Sequence, residues 1–183
     1  MAILKIARMG HPILRQKAEE VADPTAPEIR QLVEDMIETM DDAPGTGLAA
    51  PQVHIPLRVV VFRVGAHRAT GAPDDQPEKL TVLINPVLEP QGEEQAVDWE
   101  GCLSVPGMMG VVPRFTRLRY RGVNHEGEKI DRIVSGFHAR VVQHECDHLD
   151  GILYPQRIQD MRLFGFTDEM KKSFGGENEP DPD

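Results

Sequence analysis

The sequence has few of the features that mark secreted or membrane proteins. Only two of its 183 residues are cysteine, so the chain cannot build a framework of several disulfides, and free thiols are typical of a reducing compartment. No apolar run approaches the roughly 20 residues that span a bilayer. The first residues, MAILKIARMGHP, carry charge too early for a secretory signal. We therefore expect a cytoplasmic protein without a membrane segment.

Positive charge is also scarce. Against 30 Asp and Glu the chain has 20 Lys and Arg, which gives a formal net charge of −10. Binding to nucleic acid requires clustered cations that neutralise phosphates, so direct contact with nucleic acid is not expected. One short basic stretch, RFTRLRYR at 114–121, alternates with apolar residues, which predicts the solvent-facing side of a strand. A small nucleic-acid patch is the alternative interpretation of this stretch.

The segment HECDH at 144–148 is the part of the sequence that indicates chemistry. On a helix, residues four apart share one face, so His144 and His148 can direct two imidazoles at one metal ion. Glu145 lies beside that face, where a carboxylate can accept a proton from water. Cys102 offers a third ligand, and two His, one Cys and an open position are typical of a hydrolytic metal centre. The alternative is a helix whose two histidines are simply exposed or satisfied in the core.

The surrounding pattern favours the metal centre. Residues 136–150 are predicted to form a helix that starts after Ser135 and stops at Gly151. Phe137 and Val141 share one helical stripe with the two histidines, so the imidazoles are expected to be buried. A buried imidazole needs a partner, and a metal ion is an efficient one.

The two cysteines have different expected roles. A free cysteine is usually an inert buried thiol, and Cys146 fits that description. It lies two residues from His144, so it points to the far side of the helix. Cys102 follows Gly101 in a predicted bend, and coordination would hold it as a thiolate.

Three segments in this order, GTGLAAPQ at 45–52, EGCLS at 100–104 and QHECDHLDG at 143–151, resemble the three motifs of the peptide deformylase family. The resemblance extends from about residue 7 to about residue 166. It implies that the metal is held by Cys102, His144 and His148. It also implies that Glu145 is the general base and that the Gln52 amide and the Leu103 backbone N–H bind the oxyanion.

The resemblance further implies the reaction and its cofactor. A water activated by the metal would attack the formyl carbonyl of an N-terminal formyl-methionine, with Glu145 taking a proton and returning it to the leaving amine. Family members use ferrous iron, while zinc, nickel or cobalt can occupy the site. The expected partners are N-formylmethionyl nascent peptides at the ribosome, and the protein is expected to be a monomer. The acidic end of the chain replaces the basic helix by which some deformylases dock on the ribosome, so the mode of docking stays open.

A pocket for the methionine side chain is expected beside the metal. Substrate-binding residues predicted from the resemblance and from helical spacing are Thr46, Gly47, Trp99, Gly101, Phe137 and Val141. For Trp99 the alternative is a core or surface tryptophan. Arg140 falls near the same wall, where other family members have an apolar residue. Its charge must turn outward or be paired, and Glu100 and Arg114 are expected to support the ligands.

The predicted fold is a single α+β domain in which antiparallel or mixed sheets surround the HExxH helix. An amphipathic helix is predicted to begin at a capping box at Thr25 and to end at Asp42. Residues 65–79 are predicted to form a mobile surface loop. The catalytic domain is placed at 1–174 and an acidic, disordered tail at 175–183. Strands are predicted at 57–64, 80–85, 111–112, 118–123 and 129–134.

Two rival functions are also compatible with the sequence. A metalloendopeptidase is motivated by HExxH alone, although the Cys102 ligand and the narrow glycine loop argue against it. A metal-holding or ribosome-associated protein without activity is motivated by the missing basic tail. The intact Gln52 and Glu145 argue against that second alternative.

Overall fold

The structure, a computed structural model, describes residues 2–174, so the tail predicted for 175–183 lies outside the described residues. Helix α1 (Pro27–Asp42) ends where the sequence predicted. It buries an apolar stripe that includes Val33 and Met36. The predicted capping box is wrong: the helix is capped at Ala26 without a side-chain bond, and the Thr25 hydroxyl donates to Asp23 Oδ1 instead.

In the described part of the chain, eight strands form two antiparallel sheets, which confirms the α+β class. The larger sheet has the order β1-β2-β3-β6-β7 and the smaller one the order β4-β5-β8. The strand bounds are β1 (Gly47–Ala49), β2 (Val59–Val64), β3 (Glu78–Pro90), β4 (Gln95–Cys102), β5 (Val105–Phe115), β6 (Arg117–Val123), β7 (Lys129–Ser135) and β8 (Phe164–Phe166). Strands β1 and β4 each lie at an edge of their sheet, and this leaves two free strand edges near the predicted site.

The β4–β5 hairpin differs most from the prediction. The residues before Cys102, expected to bend, instead belong to β4, and the predicted two-residue strand at 111–112 is the middle of an eleven-residue β5. Glycine and proline, which β5 contains, have low strand propensity. Cross-strand pairing with β4 and β8 overrides that propensity, and a local sequence pattern does not report such pairing.

The basic stretch at 114–121 joins β5 to β6. Arg119 and Arg121 form surface ion pairs with Asp131 and Glu89, as expected for a solvent-facing side of a strand. Arg114 is the exception, because it is only 4% exposed. The prediction of a uniformly wet face is therefore wrong at Arg114.

Helix α2 (Gly136–Leu149) carries the HECDH segment and ends before Gly151, whose positive φ of 73° is the left-handed conformation that glycine tolerates. Its back face packs into the larger core cluster, where Val142 and Cys146 are buried. Burial of the back face fixes the rotation of the helix, so the histidine face is directed toward β1 and the end of β4. A third helix, α3 (Thr167–Phe174), follows β8. None of the helices in the described residues is both long enough and apolar enough to cross a membrane.

Candidate active site

Three ligand atoms converge where α2 faces the end of β4. The Cys102 sulfur and one ring nitrogen each of His144 and His148 lie within 4.8 Å of one another. Cys102 Sγ is 3.4 Å from His148 Nε2. One residue comes from a strand end and two from adjacent turns of a helix, so the cluster forms only when the smaller sheet packs on α2.

The donor set fits a divalent metal. A thiolate and two imidazoles suit zinc and related ions and leave a fourth position open. Burial holds the pKa of His148 well below its ordinary value, so this imidazole is neutral, the form that coordinates a metal. Burial alone would lower the pKa of His144, but hydrogen bonds with Cys102 and Glu100 raise it well above its ordinary value.

Glu100 orients the first histidine. Its carboxylate lies 2.8 Å from His144 Nδ1, which leaves Nε2 free to face the ligand cluster. Burial would raise the pKa of Glu100, but the bonds from Arg114 and His144 outweigh it and hold the pKa well below its usual range. Tyr154 supports the same imidazole from another side, with a ring stacked 6.2 Å from that of His144. No sequence pattern indicated a role for Tyr154.

Two arginines hold Glu100 in place. Arg114 donates to both of its carboxylate oxygens at 2.9 Å and also bonds Asp147, which follows Glu145 by two residues on α2. Arg140 donates to Glu100 Oε1 at 2.8 Å. Of the two fates expected for Arg140, the structure therefore shows pairing rather than an outward turn. The same guanidinium donates to the Val112 and Ala96 carbonyls, so it also joins α2 to the β4–β5 hairpin.

Glu145 has very different surroundings. It is 5% exposed, and no hydrogen bond partner reaches its Oε2 within the described residues. Burial raises its pKa to about 7. Gly47 on β1 lies directly against it, because a Cβ at that position would overlap the Glu145 carboxylate. The glycine of the first motif therefore leaves room for the carboxylate.

Gln52 is held beside the cluster by a short 3-10 helix at Ala50–Val53. Its Oε1 accepts a hydrogen bond from Ala49 N at 2.8 Å, so its amide nitrogen is turned toward the ligands. That nitrogen lies 3.1 Å from Ser104 Oγ and 3.5 Å from Cys102 Sγ. Ser104 is fully buried, and its contact with Gln52 joins the first two motifs. Sequence reasoning found no role for Ser104, although its place within EGCLS was a signal.

A cleft of about 520 Å³ opens beside the ligands and Leu103. Its walls include all six predicted substrate-binding residues: Thr46, Gly47, Trp99, Gly101, Phe137 and Val141. The Trp99 ring also packs 5.7 Å from that of Phe174 in α3, so the residue is both wall and packing contact. Arg68, which sequence reasoning did not single out, lines the same cleft.

Comparison with known proteins gives the same result from sequence and from structure. A sequence model of the family described as Polypeptide deformylase matches residues 3–163. Peptide deformylase 1 of Nitrosomonas europaea is 55% identical over 168 residues, which is 92% of this chain and 94% of that one. The crystal structure of peptide deformylase from Ehrlichia chaffeensis in complex with actinonin matches with a TM-score of 0.80 and 30% identity. That match covers 98% of this chain and all of that one.

A second solved structure, the class I type b peptide deformylase from Acinetobacter baumannii bound to Met-Ala-Ser, matches with a TM-score of 0.77 and 34% identity. It covers 86% of this chain and all of that one. The comparisons do not favour the metalloendopeptidase alternative, and they confirm the resemblance drawn from the three motifs. The chain therefore belongs to the polypeptide deformylase family.

Proposed function

We propose that the protein is a metal-dependent hydrolase that removes the formyl group from N-formylmethionyl peptides, using Cys102, His144 and His148 as ligands. The observation that carries this proposal is the convergence of one sulfur and two imidazole nitrogens beside the buried Glu145 carboxylate. When bound there, a divalent metal supplies a Lewis acid that lowers the pKa of a water and polarises the formyl oxygen. We propose ferrous iron in the cell. Zinc, nickel or cobalt would satisfy the same ligands in purified samples.

Glu145 is proposed as the proton carrier. With a pKa near 7, its carboxylate can take a proton from the attacking water and return it to the leaving α-amine. The C–N bond of the formamide then breaks, and the products are formate and a free methionine amine. Because Gly47 packs on this carboxylate, its position relative to the cleft is fixed.

Gln52 and the Leu103 backbone N–H are proposed to stabilise the charge that develops on the formyl oxygen. Three contacts, to Ala49, Ser104 and Cys102, orient the Gln52 amide before substrate arrives. Such preorganised donors cost no reorganisation during the reaction. Removal of one of them lowers kcat about a hundredfold or more.

The two free strand edges support a mode of peptide binding. Strands β1 and β4 are the edges of the two sheets, and both contribute residues to the cleft. We propose that the substrate backbone adds as an extended strand beside Thr46, Gly47 and Gly101. Its methionine side chain would then lie against Phe137 and Val141, with Trp99 closing one side. The peptide deformylase from Acinetobacter baumannii has been solved with Met-Ala-Ser bound, which supports the binding of a peptide that begins with methionine.

The cellular setting is also a proposal. Nascent chains at cytoplasmic ribosomes are the proposed source of substrate, and the protein is proposed to act as a monomer. Light scattering on the protein as it elutes from a size-exclusion column tests the monomeric state. Co-sedimentation with ribosomes, repeated across salt concentrations, tests association with ribosomes.

Release of formate from formyl-Met-Ala-Ser by protein purified without oxygen tests the reaction. We expect formate to appear at the same rate as the free amine. Acetyl-Met-Ala-Ser should not be hydrolysed, and casein should not be digested. Digestion of casein without formate release would overturn the proposal in favour of an endopeptidase.

A further inference from the structure

The charges that line the cleft differ in how they are neutralised. Within residues 2–174, Glu100 is paired with Arg140 and His144, and both of these lie in the cleft wall. Arg68 has no carboxylate within ion-pair distance in that part of the chain. Its guanidinium carbon lies 4.6 Å from the centroid of the Phe137 ring, at the cleft wall. Among residues 2–174, Arg68 is therefore an exposed cation of the cleft without a carboxylate partner.

The segment that carries Arg68 is docked on the start of α2. Asp75, only 1% exposed, accepts hydrogen bonds from Thr70 N at 2.9 Å and Thr70 Oγ1 at 2.7 Å, and it packs directly on Gly136. The backbone is tied as well, since Ser135 N donates to the Asp74 carbonyl at 2.7 Å. These contacts and the stacking on Phe137 place the guanidinium at a defined point of the cleft.

That point lies a few residues away from the reacting bond. Phe137 precedes His144 by seven residues, which is about 10 Å along a helix at 1.5 Å per residue. An extended peptide covers this distance in about three residues at 3.3 Å each. The methionine side chain of the bound peptide is placed against Phe137, so the second or third residue, which follows it along the extended backbone, passes near the guanidinium stacked on that ring.

We propose that Arg68 determines specificity by favouring substrates with a carboxylate near the second or third residue of the formyl-methionyl peptide. The proposal rests on the deformylase function proposed above. The carboxylate comes either from an Asp or Glu side chain or, in a short peptide, from the chain end. The net charge of −10 repels acidic peptides overall, and a cation in the cleft counteracts that repulsion locally. Exposed ion pairs are weak, and the expected preference is about threefold.

The test compares matched peptides in wild-type enzyme. The kcat/KM for formyl-Met-Ala-Glu is divided by that for formyl-Met-Ala-Gln, both with an amidated C-terminus. The Glu and Gln peptides are compared again with that residue moved to the second position, and once more with a free C-terminus. We expect a ratio of about three at one of the two positions at low salt, falling toward one as salt screens the pair. A preference seen only with the free C-terminus assigns the carboxylate to the chain end and overturns the side-chain form.

Variants then test whether Arg68 is the cause. Arg68→Met keeps an apolar stem on Phe137 and should bring the ratio to one, Arg68→Glu should invert it, and Arg68→Lys should retain much of it. Arg30→Met removes the same charge from the exposed surface of α1, outside the cleft, and should leave the ratio unchanged. A ratio near one in wild type, an unchanged ratio in Arg68→Met, or an equal loss in Arg30→Met would each overturn the proposal. Absence of formate release from the neutral peptide would instead overturn the deformylase function.

Discussion

Two buried glutamates lie beside the ligand cluster, and their pKa values are shifted in opposite directions. Glu100, on β4, receives bonds from Arg114 and Arg140 and contacts His144. Burial would raise its pKa, but the bonds with Arg114 and His144 hold that pKa well below the usual range. Glu145, on the β1 side, packs on a glycine without a cation bonded to it, and burial raises its pKa to about 7. Burial is similar for both.

The difference shows what decides the role of a buried carboxylate here. Desolvation acts on both groups, but Glu100 also receives hydrogen bonds from cations, whereas Glu145 faces the nearby anions Glu100 and Asp147. A carboxylate held by two guanidinium groups is a fixed anion that can orient a ligand. One left without them can exchange a proton near neutral pH, and such separation of pKa values assigns acid–base roles.

The largest expected effect comes from Glu145→Gln, which keeps the side-chain volume and removes the proton acceptor. We expect kcat for formate release to fall about a thousandfold, within the range for loss of a general base. Metal content should stay at the wild-type level, since the three ligands are untouched. Formate release at the wild-type rate would refute the role given to Glu145.

Glu100→Gln tests the other side of the comparison. Arg140 then loses its carboxylate partner and His144 loses its anionic anchor, so stability should fall by about 3 kcal/mol. Metal affinity should fall about tenfold to a hundredfold, as for loss of a group that orients a ligand. Urea unfolding and metal titration measure the two quantities. Glu94→Gln, at an exposed position, is the control, and equal behaviour of the two variants would contradict the anchoring role.

Arg140→Met removes one of the two cations and should have a smaller effect on the metal. Arg114 still holds Glu100, so we expect metal affinity to fall only a few-fold. Stability should fall by about 1–3 kcal/mol, because three hydrogen bonds from a charged donor are lost. An affinity loss as large as that of Glu100→Gln would show that Arg140, rather than Arg114, fixes the carboxylate.

His138 extends the comparison to a buried group on α2 outside the site, where no effect on activity is expected. Burial lowers its pKa from 6.5 to about 4, so the folded protein binds fewer protons than the unfolded chain between these values. The contribution of His138 to the free energy of unfolding is therefore fully present above pH 6.5 and is lost as pH falls toward 4. Between pH 7 and pH 5 this loss is about 2 kcal/mol. His138→Leu should remove that part of the pH dependence of unfolding, and the exposed control His67→Leu should not. If the free energy of unfolding depends on pH identically in wild type and His138→Leu, the role given to His138 is disproved.

Helical periodicity and residues that end helices predicted helix α2, which carries two of the ligands. The α2 prediction, 136–150, agrees with the observed Gly136–Leu149, because an apolar stripe and a terminal glycine are local signals. The same stripe placed both histidines on the side of the helix that faces the ligand cluster. Cys102 was a candidate third ligand from its chemistry alone, and the resemblance then assigned it, because no local pattern links it to residues more than forty positions away.

The contacts that support the site were beyond local patterns. Arg140 reaches the Ala96 carbonyl across 44 positions, and such a pairing depends on how the sheets pack. The segment with Arg68 has neither helical nor strand periodicity, so nothing in its sequence indicated that Asp75 would dock it on α2. The mobility predicted for residues 65–79 stays a prediction.

Metal content per chain, measured on wild type and Cys102→Ala purified without oxygen, tests most directly whether one sulfur and two imidazoles hold the catalytic ion. We expect one equivalent in wild type. Cys102→Ala should lose at least nine-tenths of the metal, and formate release should fall in parallel, since a ligand is removed. A Cys102→Ala protein that keeps a full equivalent of metal and the wild-type rate would contradict the ligand set.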